Sequence, residues 1–179
     1  MSAVRSRMFA VACFTAAAVT LVDQASKAAA LTWLSEQNRI PLIGDLLGLQ
    51  LAFNPGAILS LGSTATWLIT LISIIAVGVL CVAASRARTP GWAVGIGLIL
   101  GGALGNLIDR LFAPPGFGRG HVTDFLAYGE LFIGNLADVA LGLGVIVLGV
   151  SMWLRSRARA ASEADARQGA DVAGGPGAS

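Results

Sequence analysis

Four runs of apolar residues, each near the ~20 residues a helix needs to cross a bilayer, constrain this chain more than anything else in it. They fall at about 8–31, 66–85, 91–108 and 135–154. The second, TWLITLISIIAVGVLCVAAS, is apolar throughout. The first and third end in polar residues and the fourth begins with them. With 55% hydrophobic and only 12% charged residues, the chain lacks the polar coat of a water-soluble domain. The fold class expected is an all-α membrane protein with four transmembrane helices.

Arginine placement orients the spans. Arg5 and Arg7 precede the first, Arg86 and Arg88 join the second to the third, and Arg155, Arg157 and Arg159 follow the fourth. The positive-inside rule then puts both termini in the cytosol and residues ~32–65 and ~109–134 outside. No basic cluster is interleaved with aromatics, so nucleic-acid binding is not expected. Cys13 and Cys81 both lie in apolar runs, where buried free thiols are expected instead of a disulfide. Five residues separate Arg7 from Cys13, too few for a signal-peptide apolar region, and the segment is read as a retained first helix. Residues 1–155 form the membrane domain. Residues 156–179, rich in Ala, Gly and charge, are expected to be a disordered cytosolic tail. In the outer segment 36–60, the stretch from Leu47 to Phe53 nearly alternates, as a strand would or as an amphipathic lip on the outer leaflet would.

Ionisable groups inside hydrocarbon are costly and mark function. At ~1.5 Å per residue, Asp23 lies ~22 Å along its span from Met8, Asp109 ~26 Å from Trp92, and Asp138 ~26 Å from Arg155. Against a core of ~30 Å all three reach one layer, just beneath the outer surface. Asp23 and Lys27 share a helix face at i, i+4. The segment GNLIDR puts Asn106, Asp109 and Arg110 together, and Asn135 stands three residues before Asp138. The outer loop adds Asp124, between Thr123 and Phe125.

This layer holds no zinc motif of the HExxH type, and neither cysteine is near it. A Ser26–Lys27 dyad fails because adjacent helical residues diverge by ~100°. The lone His121 reads as a solvated loop residue. Carboxylates remain. Two of them close together cannot both ionise cheaply, so one keeps a proton and the other serves as base toward water. Asp138, opening a helix with no cation beside it, is the first member. Asp109 has Arg110 as neighbour, which suits an orienting role. The residues alone favour Asp124 over Asp109 as the second member, and leave both pairings open.

Blander roles exist for several of these groups. Asp23–Lys27 also reads as a neutralised pair at a helix end, Asp109–Arg110 as a cap for the third span, and Asn54 before Pro55-Gly56 as a turn. The glycines of GIGLILGGALG read as close helix packing. An ion-coupled transporter is disfavoured because the acids sit at one level instead of tracing a path across, and a presenilin-like site because no GxGD is present. A non-catalytic scaffold predicts that the acids are dispensable.

Five motifs occur in order: Asp23-Gln24-Ala25-Ser26-Lys27, Asn54-Pro55-Gly56, Gly105-Asn106-Leu107-Ile108-Asp109-Arg110, Val122-Thr123-Asp124-Phe125 and Asn135-Leu136-Ala137-Asp138. With the four-span plan, they make residues 5–155 resemble prolipoprotein signal peptidase (signal peptidase II), a family of aspartic membrane endopeptidases. The resemblance implies a catalytic dyad of Asp124 and Asp138. It implies that Asn54, Asn106, Arg110 and Asn135 orient substrate and support the dyad, with Asp109 beside them, and that Asp23 and Lys27 shape the pocket edge. It further implies a small extracytoplasmic β-cradle within 36–60, a loop that closes over the site, no metal or other cofactor, and a monomer in the bacterial inner membrane. The substrate implied is a prolipoprotein whose cysteine carries diacylglycerol, cleaved just before that cysteine. This sequence departs from the family pattern at Ile58 and Leu59, and at Gly134, where an aromatic is usual. The 14-residue interval from Asp124 to Asp138 predicts a trimmed loop between the third and fourth spans.

Overall fold

The computed structural model describes residues 3–56 and 65–173, with side chains described through residue 163. Four helices are long and apolar enough to cross a membrane: α1 (Ala3–Trp33), α2 (Thr66–Ser85), α3 (Pro90–Phe112) and α4 (Leu136–Ala173). Between them lie β1 (Ile40–Ile43), β2 (Leu47–Asn54), β3 (Val122–Tyr128) and β4 (Phe132–Gly134). The four-helix plan and the presence of a small sheet match the sequence reading. Ile58 and Leu59 lie outside the described residues.

The bundle is built inside out relative to a soluble protein. Its buried apolar residues are mostly small, among them Ala12, Ala16, Ala84, Ala93 and Ala137, while Ile72, Ile75, Val79, Val145 and Ile146 are exposed. In lipid, association of helices rests on close packing, and small side chains permit it. α3 is the hub: half of its most apolar stretch is buried, against 11% for α2. A Cβ at Gly101 would stand 2.7 Å from the Ala16 carbonyl of α1, a distance that only glycine tolerates without moving a backbone. Cys13 and Cys81 are free, as expected, but exposed on the helix surfaces instead of buried. Their small apolar character suits a lipid-facing position equally well.

The sheet differs from the expectation in one respect. Its order is β1-β2-β3-β4, all antiparallel, so half of it comes from residues 122–134 and only half from 36–60. Ala52 pairs with Asp124 and Asn54 with Val122, which draws the Asn54-Pro55-Gly56 turn to the strand carrying Asp124. β3 escapes a period-two reading because its first four residues are all buried, and a strand covered on both faces has no alternation to read. A register shift between Leu49 and Ala52 breaks the pattern in β2 as well. The way from β3 to α4 is a tight hairpin through Gly129, as the short interval requires.

α4 also differs. It continues past 154 to Ala173, so residues 156–173, expected to be disordered, are helical. The side chains from Met152 to Glu163 are exposed, and the Ala, Arg and Glu residues among them favour a helix even without burial.

Gly101→Val should lower stability by about 1–3 kcal/mol through overpacking against α1. Gly78→Ala, where nothing lies within 4 Å of the added carbon, should leave the melting temperature unchanged or slightly higher. Thermal unfolding in detergent compares the two.

Candidate active site

The polar residues of all three flanking helices gather at one end of the bundle, against the sheet. Asn135 sits at their centre and is fully buried. It stands just before α4, and its Oδ1 accepts the Asp138 backbone N–H at 3.0 Å while Asp138 Oδ2 accepts the Asn135 N–H at 3.2 Å. This reciprocal cap satisfies two otherwise orphaned donors. It is why the three-residue spacing matters: the cap fixes Asp138 at the mouth of the helix.

The same Asn135 side chain reaches the second acid. Its Nδ2 donates to Asp124 Oδ1 at 2.6 Å and to Asn106 Oδ1 at 3.1 Å. Asn106 in turn donates from Nδ2 to Asp138 Oδ1 at 3.1 Å. Two amides therefore bridge the two carboxyl groups. Asn54 Nδ2 donates to Asp124 Oδ2 at 3.2 Å, and its own Oδ1 accepts the Gly56 N–H. Asp124 is 2% exposed, whereas Asp138 opens to the surface. Burial, and then the charge of Asp138, push the Asp124 carboxyl up to about 6. The hydrogen bonds from Asn135 and Asn54 and the Lys27 charge oppose that shift.

Asp109 belongs to a different group. Its Oδ2 lies 3.0 Å from Lys27 Nζ and accepts the Thr123 backbone N–H at 3.0 Å, and its Oδ1 accepts from Gln24 Nε2 at 3.1 Å. Lys27 also pairs with Asp23 Oδ2 at 2.8 Å and donates to Asn106 Oδ1 at 2.9 Å. Asp23 Oδ1 accepts the Ala137 N–H at 2.9 Å. The ammonium thus ties α1 to α3, and its two acids hold the starts of β3 and α4. The cation on Asp109 is Lys27, not the neighbouring Arg110 that the sequence suggested. Helical neighbours point ~100° apart, and Arg110 donates from Nη2 to the Gly56 carbonyl at 2.8 Å instead.

Every sequence-predicted residue lies in this assembly: Asp23, Lys27, Asn54, Asn106, Asp109, Arg110, Asp124, Asn135 and Asp138. Sequence reasoning gave no role to three contributors. Gln24 lies beside Asp23 with no charge to mark it, and the Thr123 contact uses a backbone N–H that no side-chain pattern reveals. Tyr128 lies two alternations along β3 from Asp124, on the same face. It stacks on Phe132 at 4.8 Å, and burial, with a smaller push from the Asp138 charge, moves its phenol up. Gly134 also gains a reason: a Cβ there would lie 2.9 Å from Asp138 Oδ2.

Comparison with known proteins gives the chain a family. Residues 15–154 match the family described as signal peptidase (SPase) II. The chain belongs to the signal peptidase II family. It is 47% identical over 133 residues to the lipoprotein signal peptidase of Leifsonia xyli subsp. xyli, an alignment covering 73% of this chain and 62% of that protein. It is 45% identical over 144 residues to the lipoprotein signal peptidase of Bifidobacterium longum strain DJO10A, covering 80% and 78%. A solved bacterial membrane enzyme, determined by the in meso method at 1.9 Å resolution, superposes with a TM-score of 0.65 at 27% identity, over 79% of this chain and 91% of that one. Family and spans together make this a multi-pass protein of the bacterial inner membrane.

Lys27→Met leaves Asp23 and Asp109 buried without their cation. Removing one partner of a buried pair costs about 3–5 kcal/mol, so the variant should melt well below the parent in detergent. Lys27→Arg, which keeps the charge, should recover part of the loss.

Proposed function

We propose that this protein is the aspartic endopeptidase that removes signal peptides from diacylglyceryl-modified prolipoproteins, with Asp124 and Asp138 as its catalytic pair. The observation that carries the reading is the pairing itself. One carboxyl is sealed at the sheet, its neighbour opens to the surface, and Asn135 and Asn106 link them.

The division of labour follows from the surroundings. Asp124, pushed up to about 6 by burial and by its neighbour, keeps the proton. Asp138, solvated at the start of α4, takes one from water. The water oxygen attacks the scissile carbonyl as Asp124 gives its proton to the carbonyl oxygen. Collapse of the tetrahedral species breaks the C–N bond. The proton held by Asp138 goes to the departing amine of the lipidated cysteine, and a hydroxyl proton of the intermediate returns to Asp124. Arg110 fixes the Asn54-Pro55-Gly56 turn beside the site, and Asn54, Asn106 and Asn135 aim the two acids. Asp109, Asp23 and Lys27 hold the frame.

On the positive-inside reading, the arginine-rich end of the bundle faces the cytosol and the dyad faces out, at the rim of the outer leaflet. A diacylglyceryl anchor in that leaflet would hold the adjacent peptide bond at the depth of the two acids. The protein acts as a monomer, with the bilayer as its second partner.

Purified protein in detergent should cleave a diacylglyceryl prolipoprotein and spare the unlipidated precursor. Asp124→Asn and Asp138→Asn should each reduce kcat by about 100-fold or more with unchanged melting temperature, read by gel shift of the precursor. Full turnover in Asp124→Asn would transfer the role to another acid.

The pH profile carries a sign. Asp124 must be protonated, so kcat/KM should fall as pH rises through its value of about 6. Asn54→Ala deletes a hydrogen bond that lowers this value, so the alkaline limb should move to higher pH even as the rate drops.

A further inference from the structure

Opposite the dyad, the other end of the bundle gathers a second set of charges that the peptidase reading does not use. The α2–α3 connection, residues 86–89, carries Arg86 and Arg88, both exposed. Arg5 of α1 donates from Nε to the Ser85 carbonyl at 2.8 Å, one residue before that connection. Arg155 of α4 donates to Thr89 Oγ1, its last residue, and lies over the Trp92 ring with the guanidinium carbon 6.0 Å from the centroid. Arginines from three separate parts of the chain therefore converge on one four-residue turn.

These guanidinium groups have no acidic partner among the described residues. Among the described residues the ion pairs are Lys27 with Asp23 and Asp109, and Arg39 with Glu130, all far along the chain from this turn. The acid nearest in sequence with a described side chain is Glu163, two helical turns beyond Arg155. Arg5 and Arg155 spend their hydrogen bonds on a carbonyl and a hydroxyl, both neutral. The same turn starts α3, and Thr89, its N-cap residue, makes no capping hydrogen bond. The positive end of the helix thus has no side-chain cap of its own. Trp92, one turn further in, has a buried indole N–H without an acceptor among the described residues. Converging guanidinium groups and a spare indole N–H call for one kind of ligand, an anion with several acceptor oxygens.

We infer that this turn is a binding site for the phosphate headgroup of an anionic phospholipid of the adjoining leaflet. The site stands where the spans leave the membrane, flanked by the exposed apolar surfaces of α2 and α4, on which acyl chains can lie. Orientation by the positive-inside rule needs arginines on this face but not their convergence on one turn. Anionic lipids are attracted to basic clusters between spans at this level.

The test titrates the purified full chain in neutral detergent with phosphatidylglycerol, with phosphatidylcholine and with inorganic phosphate, following bound lipid by native mass spectrometry and the melting temperature. One phosphatidylglycerol should bind saturably and raise the melting temperature, with phosphatidylcholine and inorganic phosphate doing neither. The triple variant Arg5→Gln, Arg86→Gln, Arg155→Gln should weaken phosphatidylglycerol by about ten-fold or more, each headgroup-proximal arginine being worth roughly five-fold. The triple variant Arg7→Gln, Arg157→Gln, Arg159→Gln removes the same charge from the same end and should keep most of the affinity. Trp92→Phe, a milder change, should weaken binding a few-fold without unfolding the bundle. Equal losses in the two triple variants would reduce the effect to a diffuse field and overturn the site. So would an equal response to phosphatidylcholine, a thermal response to inorganic phosphate alone, or unchanged affinity in both the first triple variant and Trp92→Phe.

Discussion

The Lys27 ammonium is the contact on which the remaining architecture depends. It is 3% exposed and lies within 3.0 Å of carboxylates on α1 and α3. Burying three charges at a membrane rim is costly, and the cost is offset only while every partner is present. Each of its acids then spends a remaining oxygen on a backbone N–H, Asp109 on Thr123 and Asp23 on Ala137. Those two N–H groups begin β3 and α4, the elements that carry Asp124 and Asp138. A charge cluster assigned no chemical step in the proposed mechanism thereby sets the distance between the two acids proposed to carry it.

A second consequence concerns the amides. Lys27 and Asn135 both donate to Asn106 Oδ1, so the Asn106 side chain cannot turn over, and its Nδ2 must face Asp138. Asn54 is fixed likewise by the Gly56 N–H. The hydrogen-bond donors around the dyad are locked before any substrate arrives, which is the preorganisation that acid–base chemistry in a poorly hydrated site requires. The asymmetry between a sealed Asp124 and an open Asp138 arises from the fold: one acid sits in a strand covered on both faces, the other at a helix mouth.

Much of this was legible in the sequence because membrane chains write their constraints plainly. Apolar runs gave the four helices, arginines their common end, and counting rise per residue placed Asp23, Asp109 and Asp138 in one layer. The three-residue interval from Asn135 to Asp138 and the four-residue interval from Asp23 to Lys27 became a cap and an ion pair. What stayed hidden depended on tertiary contacts. β3 has no alternation, so Asp124 looked like a loop residue. The partner of Asp109 sits 82 positions away in sequence at Lys27, and adjacency pointed to Arg110 instead. Helix beyond residue 154 was masked by a composition that also suits disorder. The resemblance to a known family, by contrast, implied one pairing, Asp124 with Asp138, where the residues alone left two open.

The central claim is that Asp124 holds the proton of the proposed pair. Infrared titration of the resting protein with isotope-labelled aspartate measures this directly through the stretch of a protonated carboxyl group. The account predicts one such band below a midpoint of about 6, present in the parent and missing in Asp124→Asn. A band that persists in Asp124→Asn, or no protonated carboxyl at that pH, would contradict it.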